Sequence, residues 1–84
     1  MDIRETFGAN VRRYRTTAGL SQEALAVQMG VDRAYISAIE RGLQNATLLT
    51  LWHAAQALNV RTVDLLQEQS PGRQARKRRE EGSV

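Results

Sequence analysis

The sequence predicts an all-α fold, a compact domain of five helices in which the second and third form a helix-turn-helix. Apolar residues recur at intervals of three and four, and no segment alternates with the period of a β-strand. Ser21 and Asp32 have side-chain oxygens that can cap the start of a helix, and Gly30 and Gly42 follow where those helices should end. Two capped helices with so short a connection must turn sharply against each other.

The first helix is predicted from about Asp2 to Ala18. Its inward residues are spaced by three or four, in the order Ile3, Phe7, Val11, Tyr14 and Ala18. Gly8 lies inside this helix, where glycine costs about 1 kcal/mol relative to alanine. We therefore expect that a neighbouring helix, or a phosphate, comes close to the backbone at Gly8.

The second helix is predicted over about residues 22–29 and the third over about 33–41. Each of their cap residues is bracketed by an apolar pair that can form a hydrophobic staple. These pairs are Leu20 with Leu25, and Val31 with Ile36.

A polar loop over residues 42–46 leads to a fourth helix that Thr47 caps and that ends at about Leu58, with Asn59 after it. Its inward residues are predicted to be Leu48, Leu51, Ala55 and Leu58. A short fifth helix is expected from about Thr62 to Gln67.

Composition narrows the range of functions. The chain has no cysteine and one histidine, His53, so it offers neither a disulfide nor a cluster of metal-ligating side chains. It also lacks a catalytic carboxylate pair, a nucleophile with its base, and a phosphate-binding loop. We expect no enzyme activity, no cofactor and no small-molecule ligand. No apolar run spans a membrane and no signal peptide is evident, so the expected location is cytoplasmic, in a bacterial or phage-type setting with the nucleoid.

Positive charge is concentrated at the C-terminus. Residues 1–69, the predicted domain, carry seven arginines and seven acidic residues, so the net charge of +3 belongs to residues 70–84. That segment is basic and nearly without apolar residues, which predicts a disordered tail. It could contact phosphates or be merely solvated.

The outward face of the third helix fits a DNA major groove. At about 100° per residue, Ile36 and Ile39 point towards the core, whereas Arg33, Ala34 and Ser37 point away. Small residues allow close approach, and an arginine can bind guanine O6 and N7 in a fork. We predict that these three outward residues contact bases. The alternative is an ordinary solvated face.

Phosphate contacts are predicted around that helix. Gln22 begins the second helix, where its amide and the N-terminal N–H groups could hold one phosphate. Further candidates border the third helix and the loop after it, namely Tyr35, Arg41, Gln44, Asn45 and Thr47. For Gln44 and Asn45, ordinary turn chemistry is an equal alternative.

A second apolar ridge on the fourth helix predicts a dimer surface. Leu49 and Trp52 lie three residues apart, outside the inward face. With Val63 and Leu66 of the fifth helix they could form a symmetric interface. Alternatively, Trp52 folds over the fifth helix or the tail within one subunit.

The pattern FGxxVRxxRxxxGLSQExLAxxxGVDRxYISxIERG, then N, then LxTLxxxAxALxV, resembles the lambda-repressor-like helix-turn-helix family, of the Cro or xenobiotic-response-element type. The resemblance spans about residues 7–66. DRAYISAIERG followed by Asn45 is particularly similar to the controller proteins of restriction–modification systems.

This resemblance implies a homodimer that binds a pseudo-palindromic operator in double-stranded DNA and regulates transcription. It also implies that Arg15 and Glu40 form a salt bridge between the first and third helices. The alternative function is an antitoxin-type protein-interaction module that also binds DNA.

Overall fold

The computed structural model describes residues 2–68, and in this part the chain is all-helical, without a strand. Its elements are α1 (Ile3–Thr17), α2 (Gln22–Met29), α3 (Arg33–Glu40), α4 (Leu48–Leu58) and a 3-10 helix (Thr62–Leu66). The predicted bounds of α2 and α4 are confirmed. The fifth element is a 3-10 helix and not an α-helix, in keeping with its five residues, since such short pieces commonly adopt the tighter winding. No helix among these residues is long and apolar enough to cross a membrane.

Helix ends follow the chemistry of their cap residues. The Ser21 hydroxyl accepts from the Ala24 N–H at the start of α2. At the ends of α2 and α4, Gly30 and Asn59 adopt left-handed conformations with φ of 71° and 58°. The prediction that the Asp32 side chain caps α3 is wrong, because its carboxylate forms no such bond.

The core draws on every element. Its buried apolar residues are Phe7, Val11, Leu25, Ala26, Ile36, Ile39, Ala54, Ala55, Leu58 and Leu65. Both staple pairs have the expected environment, since Leu25 and Ile36 are buried and Leu20 and Val31 pack partly against the core. The hydrophobic effect therefore holds α2 and α3 at a fixed angle on α1 and α4.

Three residues predicted to face inward do not. Leu48 and Ile3 are 84 % and 52 % exposed. Each is the first residue of its helix, so it lies beyond the point where the helix contacts the core. Ala18 is exposed because α1 has ended before it.

Gly8 allows α1 to touch α3 with its backbone. A Cβ placed on Gly8 would lie 2.1 Å from the carbonyl oxygen of Ile39 and 3.1 Å from the Glu40 Cα. Of the two expectations for this glycine, close approach of a neighbouring helix is therefore confirmed.

Asn10 is a buried polar residue that the sequence analysis missed. Its side-chain amide donates to the carbonyl oxygens of Leu65 and Gln67 at 2.9 and 2.8 Å, which ties α1 to the 3-10 helix. Its spacing of three from Phe7 and four from Tyr14 was the available signal, because that spacing places it on the inward face.

Candidate nucleic-acid interface

A connection of only three residues, 30–32, joins α2 to α3. The left-handed Gly30 ends α2, and its N–H and that of Val31 bond back to carbonyls of α2. Because Leu25 and Ile36 on either side are buried, the two helices are fixed against the core. The opposite face of α3 is left open.

The open face of α3 carries the residues predicted to contact bases. Arg33 and Ala34 are exposed and Ser37 is half-buried, whereas Ile36 and Ile39 are 0 % and 1 % exposed. The structure thus brings the three predicted base contacts onto one side of the helix. Arg33 begins α3, at the end nearest the tight connection.

The predicted phosphate contacts surround this face but differ in how free they are. Asn45 and Arg41 are exposed, and Gln44 is half-buried. The Thr47 hydroxyl accepts from the Thr50 N–H at 3.0 Å and so serves as the α4 cap. The half-buried Tyr35 has its hydroxyl 3.4 Å from the Thr50 hydroxyl, which links α3 to the start of α4.

Gln22 has a structural partner that its position in the sequence did not reveal. Its side-chain amide donates to the Glu40 carboxylate at 3.0 Å. A glutamine amide has two N–H donors, so one remains for a further acceptor.

The same carboxylate receives the guanidinium of Arg15. Arg15 Nε and Nη2 donate to the two Glu40 oxygens at 2.6 and 3.0 Å, and Arg15 Nη1 donates to the Leu20 carbonyl at 2.8 Å. The side chains are only 12 % and 4 % exposed. The hydrogen bond to Glu40 raises the pKa of Arg15 above its usual value. Residues from α1, α2 and α3 therefore meet at one buried carboxylate.

Ion pairs determine which arginines are available to an anionic ligand. Within residues 2–68, the salt bridges are Arg4–Asp2, Arg15–Glu40 and Arg61–Asp64. Arg33 and Arg41 form none there. Although residues 1–69 carry no net charge, Arg33 and Arg41 therefore place positive charge at the two ends of α3, where it is available to an anionic ligand.

Comparison with known proteins agrees with this geometry. The model of the helix-turn-helix family HTH_3 matches residues 11–65. The chain belongs to this family. It is 48 % identical over 69 residues to the control protein C.SmaI of Serratia marcescens, and the match covers 82 % of each chain.

Two solved structures have a similar fold. The restriction–modification controller protein C.AhdI of Aeromonas hydrophila is 40 % identical, with a TM-score of 0.71 over 74 % of this chain and 94 % of that one. The biofilm regulator SinR, solved in complex with DNA, is 35 % identical, with a TM-score of 0.69 over 73 % of this chain and 98 % of SinR. The resemblance drawn from the sequence is therefore confirmed.

The HTH_3 domain also exposes an apolar surface on α4 and the 3-10 helix. Leu49, Trp52, Val63 and Leu66 are 63 %, 49 %, 44 % and 38 % exposed. The Trp52 ring meets His53 edge-on, with the centroids 5.2 Å apart, and half of its surface stays open. Residues 70–84, the predicted tail, lie outside the described part of the chain.

Proposed function

We propose that this HTH_3 protein is a sequence-specific regulator of transcription that binds double-stranded DNA. In this proposal α2 and α3 form the helix-turn-helix, and α3 enters the major groove. The observation that carries it is the two-sided character of α3, with Ile36 and Ile39 buried and Arg33 and Ala34 open to solvent. Similarity to control proteins and to a regulator solved with DNA supports it.

Base recognition is assigned to the open face of α3. Arg33 would form a fork with guanine O6 and N7, Ser37 would hydrogen-bond a base edge, and Ala34 would lie against a thymine methyl. None of these side chains belongs to the hydrophobic core, so their polar and methyl groups are available to contact a ligand.

Phosphate recognition is assigned to the residues around that face. Gln22 would use the amide N–H that Glu40 leaves unoccupied. Tyr35 and Arg41 would hold the backbone beside α3, and Gln44, Asn45 and Thr47 the backbone next to the loop before α4. Such contacts supply affinity and fix the register of the protein on the duplex.

A homodimer would place two copies of α3 in successive major grooves about 34 Å apart. We propose that its interface is formed by Leu49, Trp52, Val63 and Leu66. Val63 and Leu66 are three residues apart in a 3-10 helix, where such residues eclipse, so they lie on one side of that helix. A pseudo-palindromic operator follows from two-fold symmetry.

The biological role proposed is that of a restriction–modification controller protein, on the strength of the similarity to C.SmaI and C.AhdI. Because its ligand would be chromosomal or plasmid DNA, we place it in the cytoplasm with the nucleoid. Selection of bound sites from random duplexes, followed by footprinting upstream of its own gene, tests this role.

Replacing Arg33 with alanine is expected to weaken binding to the selected operator by about 1–3 kcal/mol and to relax base preference at one position of each half-site. The reason is loss of a two-point contact to guanine. Titration of operator variants with each base pair at that position measures both effects. Arg12→Ala removes the same charge from an exposed position on α1 and should leave base preference intact. An equal loss on every sequence for Arg33→Ala would instead make it a phosphate contact.

Replacing Trp52 with alanine is expected to raise the dimer dissociation constant at least tenfold, roughly the effect of losing an aromatic interface residue. Sedimentation at several concentrations measures it. Val27→Ala is the matched control, because Val27 is 75 % exposed on α2, away from the proposed interface. Unchanged sedimentation of the Trp52 variant, or an equal shift for both variants, would remove Trp52 from the interface.

A further inference from the structure

The net positive charge of the chain lies outside its helical part. Residues 1–69 carry seven arginines and seven acidic residues, and three of those arginines are held in ion pairs. The tail, residues 70–84, carries five cations and two acidic residues, and four of the cations are consecutive, at positions 76–79. No basic run of this length occurs in residues 1–69. The tail is therefore the most positive part of the molecule.

The composition of the tail narrows the partner that such a run would bind. The tail has no aromatic residue, and its apolar residues are Pro71, Ala75 and Val84. It thus lacks the aromatic side chains that usually centre a protein interface, and those on which unpaired bases stack. Attraction to a row of phosphates requires positive charge alone. The chemistry of the run therefore favours the backbone of a duplex.

The structure determines where the tail leaves the domain. The Asn10 amide donates to the carbonyl oxygens of Leu65 and Gln67 at 2.9 and 2.8 Å, so the backbone is anchored up to Gln67. Leu66, between them, lines a surface cavity together with Asn45, which belongs to the loop assigned to phosphate contacts. The tail therefore begins on the side of the domain where the duplex backbone is expected.

The basic run is long enough in reach to contact that backbone. Arg76 follows Gln67 by nine positions. An extended chain spans at most about 3.3–3.6 Å per residue, so Arg76 can lie up to about 30 Å from the anchored backbone. The loop that contains Asn45 shares a cavity with Leu66 and so lies well within this range. Phosphates beside those assigned to the loop are within reach as well.

We propose that residues 76–79 are a second DNA-binding element, which holds phosphates next to those assigned to the loop before α4. The proposal rests on the proposed function, which places a duplex on α3. Phosphates carry no sequence information, so the run strengthens binding to the operator and to an unrelated duplex by the same factor. Because residues 1–69 carry no net charge, the run supplies most of the salt-dependent affinity, whereas base preference stays with α3.

The test uses the full chain with glutamine in place of the four consecutive cations, as Arg76→Gln, Lys77→Gln, Arg78→Gln and Arg79→Gln. Each phosphate contact contributes about 0.9 to the slope of log affinity against log salt concentration. The slope should become less steep by about 2–4 for each bound chain, and affinity at low salt should fall at least about tenfold on the operator and on a random duplex alike. Titration of both duplexes at several salt concentrations measures the slopes and the ratio of the two affinities, which should not change.

The matched control removes cations from residues 2–68. Arg12→Gln combined with Arg61→Gln takes away two exposed arginines that are assigned no DNA contact, so the salt slope should stay within about 1 of the wild-type value. Glu80→Gln combined with Glu81→Gln removes the acidic residues beside the basic run. This variant should bind both duplexes more tightly than the wild type.

Two results would overturn the proposal while selective binding by the wild type still stands. One is an unchanged salt slope in the fourfold variant. The other is a smaller ratio of operator to random-duplex affinity in that variant, because the run would then contribute to reading bases. If the wild type prefers no duplex over another, the proposed function fails, and the slopes on the random duplex still decide whether residues 76–79 bind phosphates.

Discussion

Gly8→Ala is expected to destabilise the domain by about 3 kcal/mol or more, although helix propensity alone predicts a gain of about 1 kcal/mol. The added methyl would lie 2.1 Å from the Ile39 carbonyl oxygen. That neighbour is backbone in a helix that packs on the core, so it cannot rotate away as a flexible side chain would. Relief requires α1 and α3 to separate, which opens the contact between them. Urea unfolding followed by circular dichroism measures the loss.

Ala9→Gly is the matched control for this prediction. Ala9 is exposed on the same helix, so its replacement changes propensity without changing packing and should cost about 1 kcal/mol. Gly8→Ala should thus be less stable than Ala9→Gly, although alanine is the better helix former. A Gly8→Ala protein at least as stable as the wild type would show that α1 and α3 do not touch at this residue.

Local chemistry allowed the helix bounds to be predicted from the sequence. Ser21 and Thr47 each act within three residues of themselves, and Gly30 and Asn59 end helices through their own φ angles. Each of these signals depends on near neighbours, so it can be read without the fold. The inward face of α3 was equally readable, because Ile36 and Ile39 repeat with the period of a helix.

Side chains with distant partners were harder to predict. Gln22 donates to Glu40, 18 residues away, and Asn10 donates to Leu65, 55 residues away. No periodicity encodes such pairs. The prediction for Leu48 was wrong for a related reason: its helical phase is inward, but it is the first residue of α4 and remains 84 % exposed. The Arg15–Glu40 pair was expected only from resemblance to a family.

The same distinction, between what local geometry determines and what it does not, applies to the candidate site. The sequence placed Arg33, Ala34 and Ser37 on one face of α3 correctly, since that depends on helical geometry. It assigned Asp32 a cap bond from residue type, and the structure leaves that carboxylate unbonded within residues 2–68. Whether a polar side chain bonds its own helix or remains free for a ligand is decided by its rotamer, which residue type does not specify.

Removing one member of the Arg15–Glu40 pair is expected to cost about 3–5 kcal/mol, because the other charge is left buried without its counter-charge. Glu40→Leu and Arg15→Met test this by urea unfolding. The double variant should be more stable than the two single losses predict when added, since neither charge then remains buried.

Arg61→Ala is the control for that series. It breaks an ion pair whose arginine side chain is 76 % exposed, and water and salt screen such pairs, so its effect should be much smaller. Strict additivity in the double variant would mean that Arg15 and Glu40 do not depend on each other. Glu40 also accepts from Gln22. The Glu40 variant should therefore lose DNA affinity even under conditions where it is fully folded, whereas Arg61→Ala should not. This comparison separates a role of Glu40 in positioning the proposed phosphate contact of Gln22 from a role in stability alone.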